Sequence, residues 1–141
     1  MKTLYLLRHA KSDWAGPARA DFDRPLNRRG RAAAKRMGRL MARRGLVPAL
    51  VLCSAAARTR ETWMLVAPAF EENLKVRTLR TLYLASPETL LTTLTRLPES
   101  TPSVLILGHN PGLEELASRL AGPGSKKAAL KRLRNKFPSG A

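Results

Sequence analysis

Short apolar runs alternate along this chain with longer stretches in which apolar and charged residues recur at helical spacing. The apolar runs at residues 2–7, 49–54 and 103–110 have the length of buried strands. In residues 75–84, apolar and polar residues alternate only in part, and this mixture of strand and loop character predicts a short edge strand. Helices are predicted between and after these runs, at residues 28–44, 58–70, 87–96, 113–121 and 125–137. This order predicts an α/β fold built on a mainly parallel sheet.

Capping residues set the predicted ends of two helices. Asn27 is a good N-cap for the helix that follows it, and Gly45 ends that helix. Ser86 is the corresponding cap of the helix at 87–96. The apolar face of the first helix is expected at Ala33, Met37, Leu40 and Met41.

Three polar side chains follow predicted strands and should meet at one edge of the sheet. His9 follows the first strand, Arg58 lies just beyond the second, and His109 ends the strand at 103–110. Ligands of parallel sheets bind outside the carboxyl ends of the strands. A long loop at 10–26 follows His9, and a loop of this length in a compact domain is usually functional. Its Trp14 is expected to pack or to line the rim of a pocket.

Arginines around an imidazole suit the chemistry of a phosphoryl group. Arginine binds phosphate oxygens in a bidentate fork and keeps its charge at physiological pH. Nearby cations lower the pKa of a histidine, so its neutral, nucleophilic form dominates. Such an imidazole can attack phosphorus and form an N–P bond. Two histidines with no cysteine or carboxylate close by in sequence leave a zinc ion short of ligands, so no metal site is expected.

The charge balance raises a second class of function. The chain has 141 residues, which suits one domain, and a net charge of +16, with no acidic residue between Arg24 and Arg60. Such a balance attracts nucleic acid. Aromatic residues are only 5%, however, and none alternates with basic residues as in an RNA-binding strand. We therefore favour a solvated basic surface over nucleic-acid binding.

Nothing in the sequence indicates export or membrane insertion. Residues 3–7 are too short for the apolar core of a signal peptide, which needs about 7 to 15 residues. No run approaches the roughly 20 apolar residues of a membrane span. Cys53, the single cysteine, lies in an apolar run and is expected to be buried and inert. We expect a cytoplasmic protein.

Three motifs, in order along the chain, carry a resemblance. "LRHAKSDW", "SAAARTRET" and "GHNPGLEELA" resemble the signatures of the histidine phosphatase superfamily, whose fold is phosphoglycerate-mutase-like. "DRPLNRRG" and "LYLASPETLL" resemble its SixA-like branch of phosphohistidine phosphatases. The match covers residues 2 to about 140. It implies a three-layer α/β/α sandwich over a single domain, 1–141.

The resemblance also implies roles for individual residues. His9 would be the phosphorylated nucleophile, and His109 would assist it at the phosphate. The phosphate pocket implied by the motifs comprises Arg8, Arg24, Arg58 and His109. No motif selects the general acid, and the carboxylates on suitable loops are Asp13, Asp21 and Glu88.

The implied function is a metal-independent and cofactor-independent phosphatase. Its substrate would be a phosphorylated protein carrying phosphohistidine or a small phosphorylated molecule, and the enzyme would be a monomer. The alternative is a catalytically silent, basic module of the same fold that binds nucleic acid. Three departures from the family pattern stand out. Ala10 replaces the glycine of "RHG", "SAAAR" replaces "SPxxR", and the chain is expected to stop short of the final strand.

Overall fold

Four parallel strands form the sheet in the computed structural model, which describes residues 3–14 and 20–121. The strands are β1 (Thr3–Arg8), β2 (Leu50–Ser54), β3 (Lys75–Leu79) and β4 (Ser103–Gly108). Their spatial order is β1-β4-β2-β3, and each neighbouring pair is parallel. The predicted parallel sheet is confirmed, and β3 is the edge strand expected from residues 75–84.

Helices cover both faces of this sheet. They are α1 (Arg28–Arg43), α2 (Ala57–Val66), α3 (Pro87–Thr95) and α4 (Gly112–Ala121). One apolar core joins α1 and α2 to alternate sheet residues such as Val51 and Leu105. A second core joins α3 and α4 to the opposite face, where Leu52 and Ile106 point. The expected three-layer α/β/α sandwich is confirmed.

The predicted caps are present. The Asn27 side chain accepts a hydrogen bond from the Gly30 backbone N–H at 2.8 Å, and this fixes the start of α1. Gly45 follows the end of α1 with φ of +67°, a conformation that glycine adopts without steric cost. Ser86 accepts from the Thr89 N–H at 3.2 Å at the start of α3.

The buried face of α1 differs from the predicted one. The fully buried stripe is Gly30, Ala34, Gly38 and Met41. Leu40 is only half-buried, so of the four residues expected on this face Met41 alone is fully buried. The physical reason is close backbone approach: a Cβ atom on Gly38 would lie 2.6 Å from the Val66 carbonyl oxygen. Small residues let α1 lie against α2 where larger apolar ones would hold the helices apart.

The C-terminal end of α2 differs from the predicted one. α2 stops at Val66, earlier than predicted, and a 3-10 turn that contains Pro68 follows it. Proline has no backbone N–H and terminates α-helices. The predicted helix at 125–137 and any final strand lie outside the described residues. Among the described helices, none has both the length and the apolar character needed to cross a membrane.

Gly38→Ala should lower the free energy of unfolding by about 1–3 kcal/mol, because the added methyl group meets the Val66 carbonyl. Helix propensity alone predicts the opposite sign, a gain of up to about 1 kcal/mol. Urea unfolding followed by circular dichroism measures the change. Ala32→Gly, at an exposed position of the same helix, is the matched control and should lose only the propensity contribution. A higher urea midpoint for Gly38→Ala would show that the two helices can accommodate the added methyl group without cost.

Candidate active site

The register of the parallel strands brings the two histidines together. Arg8 is paired with Gly108 across β1 and β4, so His9 and His109 both follow directly on paired residues. The His9 backbone N–H donates to the Gly108 carbonyl at 3.1 Å and extends this pairing by one residue. The two imidazole centroids lie 5.4 Å apart. The structure therefore places both histidines at the carboxyl edge of the sheet.

The hydrogen bonds of His9 define its tautomer. Its Nδ1 lies 2.7 Å from the Ala10 carbonyl oxygen. A carbonyl only accepts hydrogen bonds, so Nδ1 carries the proton. Nε2 accepts from Arg58 Nε at 3.3 Å, as an unprotonated nitrogen can. The Nε2 lone pair of His9 thus faces the guanidinium of a buried arginine.

The backbone after His9 is anchored without a glycine. The Ala10 N–H donates to Thr62 Oγ1 at 3.0 Å, and Ala10 is fully buried. In the described part of the chain Leu84 is the only non-glycine residue with positive φ, so Ala10 keeps an ordinary conformation. Alanine is therefore compatible with the position that the family pattern gives to glycine.

Asp21 holds Arg58 in place. Arg58 lies in the first turn of α2, and only 2% of the residue is exposed. Its Nη1 donates to the Asp21 carbonyl at 2.8 Å, and its Nη2 donates to Asp21 Oδ2 at 3.1 Å. The same carboxylate accepts from Arg24 Nη2 at 2.9 Å and from the Tyr83 hydroxyl. One acidic side chain thus organises two arginines of the site.

Burial and neighbouring charge set the protonation states. Burial, reinforced by the charges of Arg58 and Arg8, lowers the pKa of His9 to about 4. Burial, with the charge of Arg58, lowers the pKa of His109 to about 3. Partial desolvation would raise the pKa of Asp21, but hydrogen bonds from Tyr83 and Arg24 outweigh it, and the pKa falls to about 2. At neutral pH both imidazoles are neutral and Asp21 is a carboxylate.

The second histidine presents an unused nitrogen. His109 Nε2 lies 2.7 Å from Ser54 Oγ at the end of β2. Ser54 Oγ accepts from the Ala56 N–H and can donate its own proton to Nε2, and in this arrangement the ring proton lies on Nδ1. His109 Nδ1 is buried and has no hydrogen-bond partner within the described part of the chain. An anion in the site would supply one.

These groups line a cavity of about 390 Å³. The predicted site residues among its lining are Arg8, His9, Asp21, Arg24, Arg58 and His109. Of the other two predicted carboxylates, neither lines the cavity. The Asp13 N–H donates to the Pro25 carbonyl at 2.8 Å, and Glu88 pairs with Arg119 at 2.7 Å between α3 and α4.

Several residues that contact the site are not identified as site residues from the sequence. Tyr83 and Ser54 lie inside quoted motifs, yet nothing local indicates that one contacts Asp21 and the other His109. Thr62 acts through a contact with Ala10 that spans 52 positions. Trp14 is expected to pack or line a rim, and the structure places it at the cavity with 79% of the residue exposed.

The single cysteine is buried, as the sequence predicts. Cys53 is 1% exposed, and burial raises the pKa of its thiol to about 12, so the thiol stays protonated as expected. Within residues 3–14 and 20–121, no group of three or more His, Cys, Asp and Glu side chains could hold a metal ion. Metal independence stays a prediction.

Comparison with known proteins agrees with this geometry. The family model described as the histidine phosphatase superfamily (branch 1) matches residues 4–83. An uncharacterised chloroplastic protein of Arabidopsis thaliana is 33% identical over 136 residues, which cover 89% of this chain and 62% of that protein. An uncharacterised protein of Mycobacterium tuberculosis is 38% identical, over 94% of this chain and 82% of its own length.

A solved structure extends the likeness to three dimensions. It is that of a candidate phosphohistidine phosphatase SixA from Agrobacterium tumefaciens, with a TM-score of 0.88 and 37% identity. The superposition covers 99% of this chain and 88% of that one. A parallel α/β/α sandwich whose strand ends deliver two histidines into an arginine pocket is the architecture of a histidine phosphatase. The chain belongs to the histidine phosphatase superfamily, in its SixA-like branch. Phosphatase activity is the function that this membership supports.

The two buried imidazoles should make stability depend on pH. Their pKa values lie below the ordinary 6.5, so between pH 6.5 and about 4 the unfolded chain binds protons that the folded chain does not. The free energy of unfolding should therefore fall as the pH falls through this window, by up to about 1.4 kcal/mol per pH unit for each histidine. Urea unfolding at a series of pH values measures this slope.

The double variant His9→Gln/His109→Gln is the control and should show a flatter profile above pH 4. Asp21 acts in a separate, more acidic window, because its stabilising effect is lost only as the pH falls from 3.8 towards 2. An unchanged slope in the double variant would contradict the assignment to the histidines.

Proposed function

We propose that this chain is a phosphatase that works through a phosphohistidine intermediate on His9, without a metal ion or cofactor. The observation that carries the proposal is the state of His9. Its proton is fixed on Nδ1 by the Ala10 carbonyl, and its Nε2 lone pair faces Arg58 inside a cavity lined by arginines. A neutral, oriented imidazole in a cationic pocket suits attack on a phosphoryl group.

The reaction would proceed in two displacements. His9 Nε2 attacks phosphorus, the Nε2–P bond forms, and the bond from phosphorus to the leaving group breaks. The leaving group keeps the electron pair and takes a proton from solvent, and the water consumed in the second step returns a proton to solvent. Water then attacks the phosphorus of phospho-His9, the Nε2–P bond breaks, and inorganic phosphate leaves with His9 neutral again. The net change is hydrolysis.

The surrounding cations would stabilise the transferred group. Arg8, Arg24 and Arg58 supply charge for the phosphoryl oxygens, and preorganised charge is the main source of phosphoryl-transfer catalysis. His109 would donate from Nδ1 to an oxygen of the same group. That role gives a partner to a buried nitrogen that lacks one among the described residues.

The proposed substrate is phosphohistidine on a protein or a small phosphomonoester. The likeness to the Agrobacterium tumefaciens SixA supports phosphohistidine. The acid that protonates the leaving group is not Asp21 in this proposal, since hydrogen bonds hold the pKa of Asp21 at about 2. Asp21 is a positioning residue for Arg58. We further propose that the enzyme acts as a monomer in the cytoplasm.

The alternative, a nucleic-acid-binding module, has less support than a phosphatase. Its basic residues on α1 point outward, where Arg28, Arg36 and Arg39 are exposed. Nothing on that face resembles a base-reading or stacking surface. The family match favours a phosphatase.

The intermediate is tested by incubation with a radiolabelled phosphodonor followed by denaturation. We expect acid-labile, alkali-stable label on the wild type and none on His9→Ala, because that variant lacks the attacking nitrogen. Phosphatase activity should fall by at least about 10³-fold, the scale on which losing a nucleophile acts. Cys53→Ala is the control and should label normally. Activity that survives His9→Ala would sink the proposal.

The role of Asp21 is tested with Asp21→Asn and substrates of different leaving-group pKa. A positioning role predicts a loss of about 10- to 100-fold that is the same for phenyl and alkyl phosphates, since Arg58 is misplaced for both. A general acid would be needed much more by the alkyl phosphate. Initial rates of phosphate release decide between them. A loss confined to the alkyl phosphate would overturn the positioning role.

A further inference from the structure

Two apolar side chains stand at the mouth of an otherwise polar cavity. Trp14 and Leu84 both line it, and they are 79% and 54% exposed. We call this pair the rim. Covering these side chains with an apolar group would be favourable by about 25 cal/mol per Å² of apolar surface removed from water. The proposed phosphatase reaction supplies an occupant, the part of the substrate that remains when the phosphoryl group leaves.

The backbone at Leu84 is strained in a way that a surface residue does not need. Its φ of +49° is in the left-handed region, which costs an L-residue about 1–2 kcal/mol. Glycine or asparagine adopts this conformation more easily. The neighbours hold it there: the Tyr83 N–H donates to the Arg80 carbonyl at 3.0 Å, and the Ala85 N–H donates to the Leu82 carbonyl at 3.3 Å. A leucine at such a position exposes an apolar side chain to the cavity at a conformational cost.

The indole of Trp14 is fixed on one side only. The guanidinium carbon of Arg24 lies 3.6 Å from the centroid of the ring, so a cation covers one face. The high exposure of Trp14 leaves the rest of the ring open. Arg24 in turn donates to Ser12 Oγ and to Asp21, which sets the orientation of the stack. The rim thus offers a flat, oriented aromatic surface and an aliphatic one beside the attacking nitrogen.

We propose that the rim selects the leaving group, with a flat ring of the substrate packing on Trp14 and Leu84 at the cavity while the arginines hold the phosphoryl group. This inference rests on the proposed phosphatase function and adds to it a substrate class. The chemistry recognised is a planar ring in the leaving group, attached to phosphorus through a ring nitrogen or through an ester oxygen. The imidazole of phosphohistidine and the phenyl ring of an aryl phosphate share it, whereas the polyol body of a sugar phosphate does not.

The test compares three substrates that differ in the body attached to phosphorus. A phosphohistidine peptide and phosphoramidate share a P–N bond, but phosphoramidate has no organic body; phenyl phosphate carries a ring on oxygen. Leu84→Asn and Trp14→Ala should each raise KM for the two ring-bearing substrates by about five- to tenfold, the value of a partly buried apolar or aromatic contact. In Leu84→Asn, the KM for phosphoramidate should change by less than about twofold, since phosphoramidate does not reach the rim.

Leu84→Asn separates recognition from structure. Asparagine tolerates positive φ, so the free energy of unfolding should stay equal or rise while ring selectivity is lost. Met64→Ala, on α2 and outside the cavity lining, is the control for removing an exposed apolar side chain. Equal KM increases for all three substrates, or none, would overturn the rim as a selector. A KM increase for the peptide alone would also overturn it, because phenyl phosphate carries a planar ring as well.

A binding readout keeps this inference separate from catalysis. In a Trp63→Phe background Trp14 is the remaining tryptophan, and phenylphosphonate and methylphosphonate are anions with a P–C bond that the proposed reaction does not break. Phenylphosphonate should quench Trp14 fluorescence with a Kd about five- to tenfold lower than methylphosphonate, and Leu84→Asn should remove the difference. Equal affinities would overturn the inference. Absence of turnover on every substrate, with the phosphonate preference intact, would instead sink the proposed phosphatase function.

Discussion

The ion pair between Asp21 and Arg58 is the interaction on which the rest of the site depends. Arg58 is 2% exposed, and a buried guanidinium without a counterion would be costly to desolvate. The Asp21 carboxylate neutralises it through one hydrogen bond, the Asp21 backbone carbonyl accepts a second, and the Asp21 side chain stays partly open to solvent. Burial is the main reason that the pKa of His9 is low, and the charge of Arg58 beside it lowers that pKa further. Arg58 also donates its Nε–H to the Nε2 lone pair of His9. The neutral state of His9 and a buried positive charge in the cavity thus both depend on one contact.

The fold supplies the frame that makes this contact geometrically available. Parallel pairing of β1 with β4 puts His9 and His109 on neighbouring strand ends. The α2 helix, which follows β2, carries Arg58, and the 3-10 turn at Asp21–Asp23, in the segment after β1, meets it. Close approach at Gly38 lets α1 lie against α2, and this packing fixes the helix that carries Arg58. Charge placement at the cavity is therefore a consequence of packing in the core.

Much of the fold could be predicted because its signals are local. Apolar runs of strand length, the cap at Asn27 and the cap at Ser86 each depend on a few adjacent residues, and all three agree with the structure. The buried stripe of α1 could not be predicted from the hydrophobic pattern. Glycine and alanine contribute little to such a pattern, and they become core residues only where another backbone approaches closely. The local sequence also did not indicate which carboxylate lies at the cavity. Asp13, Asp21 and Glu88 are equivalent in sequence, and only one of them lines the cavity.

The sequence by itself determined the order of strands and helices, the edge at which His9 and His109 emerge, and the family. Each follows from short-range periodicity, from capping, or from motifs that need no distant partner. Tertiary structure alone decided that Asp21 binds Arg58 and Tyr83, 37 and 62 positions away, and that Trp14 meets Arg24 at the cavity mouth. Hydrogen bonds and ring contacts of this kind depend on distances set by how loops fold back on the sheet. Residue type and spacing along the chain do not encode those distances directly.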